Sequence, residues 1–188
     1  NLLFNQYLIF FTLSLFMNLC NILKQIESIL PQDTPAHKLK NSYKRNPYTI
    51  LMVTLLSLRS KDEKTALVAH KLFSTTVSPY ELVDMDMELL EEIIKPIGMY
   101  KQKAKTLKSV SYDVIERFGG RVPDSKTDLL SIKGIGEKTA NIVLNNAFNQ
   151  GIIAVDTHVH RICNLLGIVK TSNVDETTFA YASKLTDL

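Results

Sequence analysis

Lys138 and Asp156 are residues of this chain whose types could do chemistry, the first as an amine and the second as a carboxylate. Lys138 lies in Ser131-Ile132-Lys133-Gly134-Ile135-Gly136-Glu137-Lys138-Thr139-Ala140, and Asp156 opens Asp156-Thr157-His158-Val159-His160-Arg161. An amine attacks carbon only when unprotonated, and an ordinary lysine pKa of about 10.4 keeps it an ammonium at neutral pH. A water-poor pocket at a helix N-terminus disfavours the ammonium and frees the amine. Asp156 supplies a carboxylate able to stabilise a developing cation or to move a proton. Each residue also has a plainer reading: Lys138 as a solvated charge, and Asp156 as the N-cap of a helix starting at Thr157. His158 and His160 form an H-x-H pair with no third ligand, so they read as structural or phosphate-facing groups rather than a metal site.

The glycines ahead of Lys138 belong to the vocabulary of phosphate sites. A nucleoside-triphosphate loop needs Gly-Lys-Ser/Thr in direct succession, and Glu137 intervenes between Gly136 and Lys138. A dinucleotide fingerprint needs a third glycine where Thr139 stands, and a strand where the pattern here is helical. What is left is a helix, a tight hairpin and a second helix, with Ile132, Ile135 and Ala140 as the apolar positions that pack them. Gly134 and Gly136 let the backbone turn, with positive φ where needed. The hairpin amides then point outward at a helix N-terminus, a setting that favours an anion without selecting its side groups, as a nucleic-acid backbone requires. The spacing is equally that of a glycine turn between two packed helices.

The elements that must carry these groups are helical almost throughout. Tyr48–Leu58 is a continuous apolar run and reads as a buried helix. Ser60-Lys61-Asp62-Glu63 has the S-x-x-E form of a capping box opening a helix to Phe73, and Ser78-Pro79-Tyr80-Glu81 repeats it with proline at the first helical position. Asp86–Lys95 is a short helix stopped by Pro96. Ala104, Leu107, Ser111, Val114, Ile115 and Phe118 recur at three- and four-residue spacing up to Gly119-Gly120. Asp124 or Ser125 caps a helix of two turns at most, Glu137–Phe148 is helical, Asp156 caps a helix to Leu166, and Ser172-Asn173-Val174-Asp175 starts the last. The fold class is all-α.

Composition adds bounds rather than detail. The chain has 188 residues, 45% hydrophobic and 22% charged, with a formal net charge of +3. That permits a nucleic-acid partner without arguing for one. Cys20 and Cys163 are far apart with no C-x-x-C spacing, which suggests neither a disulfide framework nor a metal knuckle and makes a reducing compartment the default. Leu2–Leu23 is apolar-rich, but a membrane span needs roughly 20 apolar residues. Asn5, Gln6, Asn18 and Asn21 interrupt this run, and it lacks the basic start of a signal peptide. Membrane insertion is therefore not expected. The chain begins at Asn1, with Met17 as the alternative start, and Pro31-Gln32-Asp33-Thr34-Pro35 breaks the amphipathic segment that ends at Leu30.

The stretch SIKGIGEKTAN, its continuation Ile142-Val143-Leu144-Asn145, and Ala154-Val155-Asp156-Thr157-His158-Val159-His160-Arg161 together resemble the active-site signature of the endonuclease III family of DNA glycosylases. Leu55-Leu56-Ser57-Leu58-Arg59-Ser60-Lys61-Asp62 and Ile97-Gly98-Met99-Tyr100-Lys101-Gln102-Lys103-Ala104 align with that family in character and order. The resemblance runs from Asn18 to Leu188 and implies a helix-hairpin-helix glycosylase fold with two lobes. A six-helix lobe would occupy residues 47–167, with the helix-hairpin-helix at 125–148. An incomplete second lobe would combine residues 17–46 with 168–188, after an apolar extension at 1–16.

The resemblance also assigns roles. Lys138 becomes the Schiff-base nucleophile, attacking C1′ of a deoxyribose, displacing the base and leaving an imine that acidifies C2′ for β-elimination. Asp156 matches the catalytic aspartate, stabilising the cationic sugar or acting as a general base. Lys133, Gly134, Ile135, Gly136, Thr139, Arg59, Ser60 and His158 would contact DNA. Arg59 stands where many members carry a glutamine that enters the duplex, so an arginine would fill the gap and base preference would change. Lys101, Lys103 and Lys105 would either face the backbone or form a solvated edge.

The implied activity is excision of oxidised pyrimidines with cleavage of abasic sites; a monofunctional mismatch glycosylase and a non-catalytic DNA-binding module are the rivals. The implied partner is double-stranded DNA carrying a damaged base or an abasic site, bound by a monomer with no obligate protein partner. Relatives carry four cysteines around a [4Fe-4S] cluster in a C-terminal segment. Those ligands are absent here and Cys20 and Cys163 cannot replace them, so no cofactor is expected within this chain and both ends read as cut.

Overall fold

The computed structural model describes residues 46–152 and 154–186, together with Ser28. The expectations for the N-terminal extension, for residues 17–45 other than Ser28, and for Cys20 lie outside the described residues. Every regular element within them is an α-helix: α1 Pro47–Ser57, α2 Asp62–Phe73, α3 Pro79–Asp84, α4 Met87–Ile94, α5 Tyr100–Phe118, α6 Lys126–Ser131, α7 Glu137–Phe148, α8 Thr157–Leu165 and α9 Val174–Thr186. Among the described residues no helix is long and apolar enough to cross a membrane.

α1 is the central helix because it is apolar all round. Tyr48, Leu51, Met52, Leu55 and Leu56 are buried, and so are Thr49 and Thr54. The two threonine hydroxyls donate back to the carbonyls of Asn46 and Ile50, which makes them tolerable in the core. Asn46 caps the helix by accepting from Tyr48 N, and Pro47 occupies the first turn, where a missing N–H costs nothing. α1 packs on α2, α5 and α7, while α3 and α4 pack on α5, α6 on α7, and α8 on α9. The largest fully buried side chains, among them Leu51, Leu56, Leu72, Leu82, Leu90, Leu107, Leu129 and Leu144, come from α1 to α7 and the turn at Ile132 and form one core.

The side-chain caps expected at Ser78, Asp86, Ser125 and Asp156 all form, and the one expected at Ser60 does not. Ser78 and Glu81 make the expected reciprocal capping box. Asp86, Ser125 and Asp156 cap α4, α6 and α8 with their side chains. Gly119 closes α5 with φ 60°. The capping box expected from Ser60 does not form: Lys61 is the N-cap of α2 and no side chain caps it. Ser60 Oγ instead accepts from Lys103 Nζ at 2.6 Å. The expectation for Lys101, Lys103 and Lys105 therefore divides, with Lys101 and Lys105 exposed and Lys103 buried.

A buried polar relay joins α1 to α5. Ser111 has one hydroxyl proton, which it donates to Leu107 O at 2.7 Å, so the Tyr48 hydroxyl donates to Ser111 Oγ at 2.7 Å. Burial pushes the Tyr48 phenol well above its ordinary range. Replacing Tyr48 by Phe removes one hydrogen bond and leaves Ser111 satisfied, an expected cost of about 1 kcal/mol. Ser111→Ala orphans a buried phenol and should cost more, about 1–3 kcal/mol. Urea unfolding of the two variants measures this asymmetry, and equal losses would contradict the assigned donor direction.

Candidate functional site

The hairpin between α6 and α7 is built by its isoleucines. Ile132 and Ile135 are 1% and 6% exposed, and Ile135 N donates to Ile132 O at 3.1 Å, closing the turn over the core. Gly134 sits at φ +103°, and a Cβ there would lie 3.0 Å from Thr106 Cγ2. Both its conformation and its close approach to α5 exclude a side chain. Gly136 is different: its φ is −102°, and an added Cβ would meet nothing within 4 Å. Nothing within the described chain requires a glycine at 136. It is the N-cap of α7, and no side chain caps that helix, so the first-turn amides keep no side-chain acceptor.

Around these amides the surface is mixed in charge. Lys133, Gly134, Gly136, Glu137 and Lys138 are exposed, whereas the side chains of Ile135 and Thr139 are buried and leave only their backbone to a partner. Glu137, an unfavourable charge for an anion, is held by Lys126 Nζ at 2.6 Å.

Lys138 and Asp156 meet across the gap between α7 and α8. Lys138 Nζ lies 3.1 Å from Asp156 Oδ2. Asp156 Oδ1 accepts from the amides of His158 at 3.0 Å and Val159 at 2.9 Å. The Val159 amide, then the Lys138 ammonium and the His158 amide, hold this carboxyl below the usual carboxylate range, against the opposing effect of burial. The water-poor pocket expected for Lys138 is not present: its side chain is 47% exposed, and that of Asp156 29%. The physical reason is that α7 presents its first turn outward, with Asp156 drawn up beside the amine.

The two histidines separate. His158 is exposed beside this pair. His160 turns inward, its Nδ1 2.6 Å from Thr177 Oγ1 on α9, in a network that Asn164 and Thr171 complete. His160 thus ties α8 to α9. Arg59 and Ser60 lie in the loop after α1, with Arg59 exposed at φ 54°. Two residues at the start of α5 are not legible in the sequence. Lys103 anchors this loop from α5, and burial pushes its ammonium below the usual lysine range. Met99, 58% exposed at φ 57°, is an apolar side chain on an exposed turn; its position directly after Gly98 was the available signal.

Among the described residues no three His, Cys, Asp or Glu side chains come together to hold a metal. Cys163 is buried on α8, and burial pushes its thiol up. The described residues do not provide the four thiolates that an iron–sulfur cluster needs.

Residues 52–187 match the family described as HhH-GPD superfamily base excision DNA repair protein. Endonuclease III of Thermotoga maritima is 46% identical over 138 residues, 73% of this chain and 65% of that protein. Endonuclease III of Bacillus subtilis is 37% identical over 150 residues, 79% of this chain and 68% of that protein. A solved trapped endonuclease III–DNA covalent intermediate superposes with a TM-score of 0.68 at 33% identity, covering 72% of this chain and 64% of that one. The chain thus spans about two thirds of the length of these relatives.

Two predictions follow from the geometry of the site. Gly134→Ala should lose about 1–3 kcal/mol of stability because of its φ and the Thr106 contact, and Gly136→Ala less, under about 1 kcal/mol, from the poorer N-cap alone; thermal melts compare them. Asp156→Asn keeps an N-cap but loses the charge. Because the folded Asp156 pKa is depressed, its charge-dependent stabilisation is present above the unfolded carboxyl value of about 3.9 and lost as pH falls through the folded value. The stability difference between wild type and Asp156→Asn should shrink as pH falls through that window; a constant difference would remove the ion pair from the account.

Proposed function

The chain belongs to the HhH-GPD superfamily of base excision DNA repair proteins, in its endonuclease III family, and from that membership we propose that it excises damaged pyrimidines from duplex DNA and cleaves the abasic product. The observation that carries this reading is the 3.1 Å contact between Lys138 Nζ and Asp156 Oδ2. A glycosylase of single function needs a carboxylate and an activated water. A lysine held against that carboxylate adds the nucleophile for an imine.

The hairpin provides the grip. Outward amides at the N-terminus of α7, with Gly136 leaving the surface bare, suit a DNA phosphate approaching the backbone closely. Lys133 adds a cation beside it. The target nucleotide leaves the stack at a cost of a few kcal/mol, least for a damaged base. Arg59, exposed at the end of its loop, enters the space left behind.

Bound DNA covers the half-exposed Lys138 and removes the water that favours its ammonium. Asp156 Oδ2 accepts a proton from Nζ, and the free amine attacks C1′ as the bond from C1′ to the base breaks. The base leaves with a proton from water. One of the two Nζ protons passes to O4′ as the C1′–O4′ bond breaks, giving the imine between Nζ and C1′, protonated on nitrogen. Loss of a C2′ proton to water then expels the 3′ phosphate, breaking the C3′–O bond. Asp156 is suited to its part because the two backbone amides on Oδ1 fix its rotamer and leave Oδ2 facing the amine.

Incubation with duplex containing thymine glycol or an abasic site, followed by borohydride, should give a covalent protein–DNA adduct. Lys138→Ala should abolish it, and Asp156→Asn should slow its formation by about 100-fold or more. Gly136→Ala should weaken binding to undamaged and damaged duplex alike. Excision without an adduct would indicate a monofunctional glycosylase; binding without excision would indicate a non-catalytic module.

A further inference from the structure

Lys103 is a cation that the mechanism leaves unused, and it is the one lysine on the first turns of α5 that is buried, at 9% exposure. Its Nζ donates to Leu56 O at 2.7 Å and to Ser60 Oγ at 2.6 Å, 47 and 43 residues away along the chain. Both acceptors are neutral, so the contacts repay only part of the cost of burying an ammonium. The two acceptors bracket Arg59. Leu56 lies in the last turn of α1, and the amide that would ordinarily bond its carbonyl, that of Ser60, donates instead to Ser57 O at 3.0 Å. Lys103 satisfies the carbonyl that this deviation orphans. Between the two acceptors the chain takes φ 54° at Arg59, a left-handed conformation that a residue with a Cβ adopts at a cost of about 1–2 kcal/mol.

A loop of this kind relaxes unless the surroundings over-determine it. The lysine's own amide donates to Met99 O at 3.0 Å, so the same residue also fixes the start of α5. One side chain and one amide therefore hold two exposed turns, each with a left-handed residue, at a constant separation.

We propose that Lys103 is a positioning residue for Arg59: its buried ammonium locks the turn after α1 in the left-handed form that presents the Arg59 guanidinium to the gap in the duplex. This rests on the reading that Arg59 enters that gap. Lys103 touches no DNA. It acts by removing the loop's freedom before binding, so that the ordering cost is not met when the nucleotide is extruded.

The test is a double-mutant cycle between Lys103→Met, which keeps length and volume without the charge, and Arg59→Ala. Excision is measured on thymine glycol duplex. Insertion is measured at saturating protein by the fluorescence of 2-aminopurine placed opposite a non-cleavable tetrahydrofuran abasic site. Lys103→Met should lower excision by about tenfold and abolish most of the fluorescence change, with borohydride trapping retained. Arg59→Ala should do the same, and the double variant should be no worse than Arg59→Ala alone. Additive losses, or a wild-type fluorescence change in Lys103→Met, would overturn the lock while leaving the Arg59 reading in place. Wild-type behaviour of Arg59→Ala would overturn both. If Lys103→Met fails to fold, Ser60→Ala, which removes one of the two contacts, carries the same cycle with a smaller loss of the same sign.

Discussion

Asp156 has two carboxylate oxygens and gives them to different partners. Oδ1 takes the amides that begin α8, and Oδ2 takes the Lys138 ammonium at the beginning of α7. The candidate site depends on that division. A carboxylate free to rotate would not hold its second oxygen toward the amine, and a helix without its N-cap would not hold the carboxylate. Helix capping and the contact with Lys138 are thus one arrangement. The hydrogen bonds of His160, Asn164, Thr171 and Thr177 support it from behind by tying α8 to α9.

A second theme is lysine used inside the fold. α5 sends Lys103 to the last turn of α1, and Lys108 to the carbonyls of Val83 and Met85 at the end of α3. Both answer the same need: the final carbonyls of a helix have no amide partner, and their partial negative charge favours a cation. Short helices have many such ends for their length. A fold assembled from them has to satisfy each one, and a long flexible stem with three donors does so from a neighbouring helix.

Most of the architecture was legible in order and extent. The apolar run of α1, the box at Ser78, the caps at Asp86, Ser125 and Asp156, and the glycine stop at Gly119 are local signals, and local hydrogen bonding decides them. Ser60 misled because its S-x-x-E pattern is also local, but a lysine from 43 residues away competes for the hydroxyl. The same competition hid Lys103, which stands between two exposed lysines in what looks like a solvated edge. Gly134 and Gly136 read alike in sequence. Only the neighbour Thr106 and the backbone angles separate the glycine that the fold requires from the one that leaves open surface.

By itself the sequence determined that the described residues are helical, where most of their helices begin and end, and which lysine and aspartate the family signature singles out, because caps, periodicity and motif order are properties of neighbouring residues. Tertiary structure alone decided that Lys138 and Asp156 lie 3.1 Å apart, that the amine is half exposed rather than enclosed, and that Lys103 faces inward. Distance, solvation and the choice among competing hydrogen-bond partners depend on how helices pack, and residues far apart in the chain set that packing.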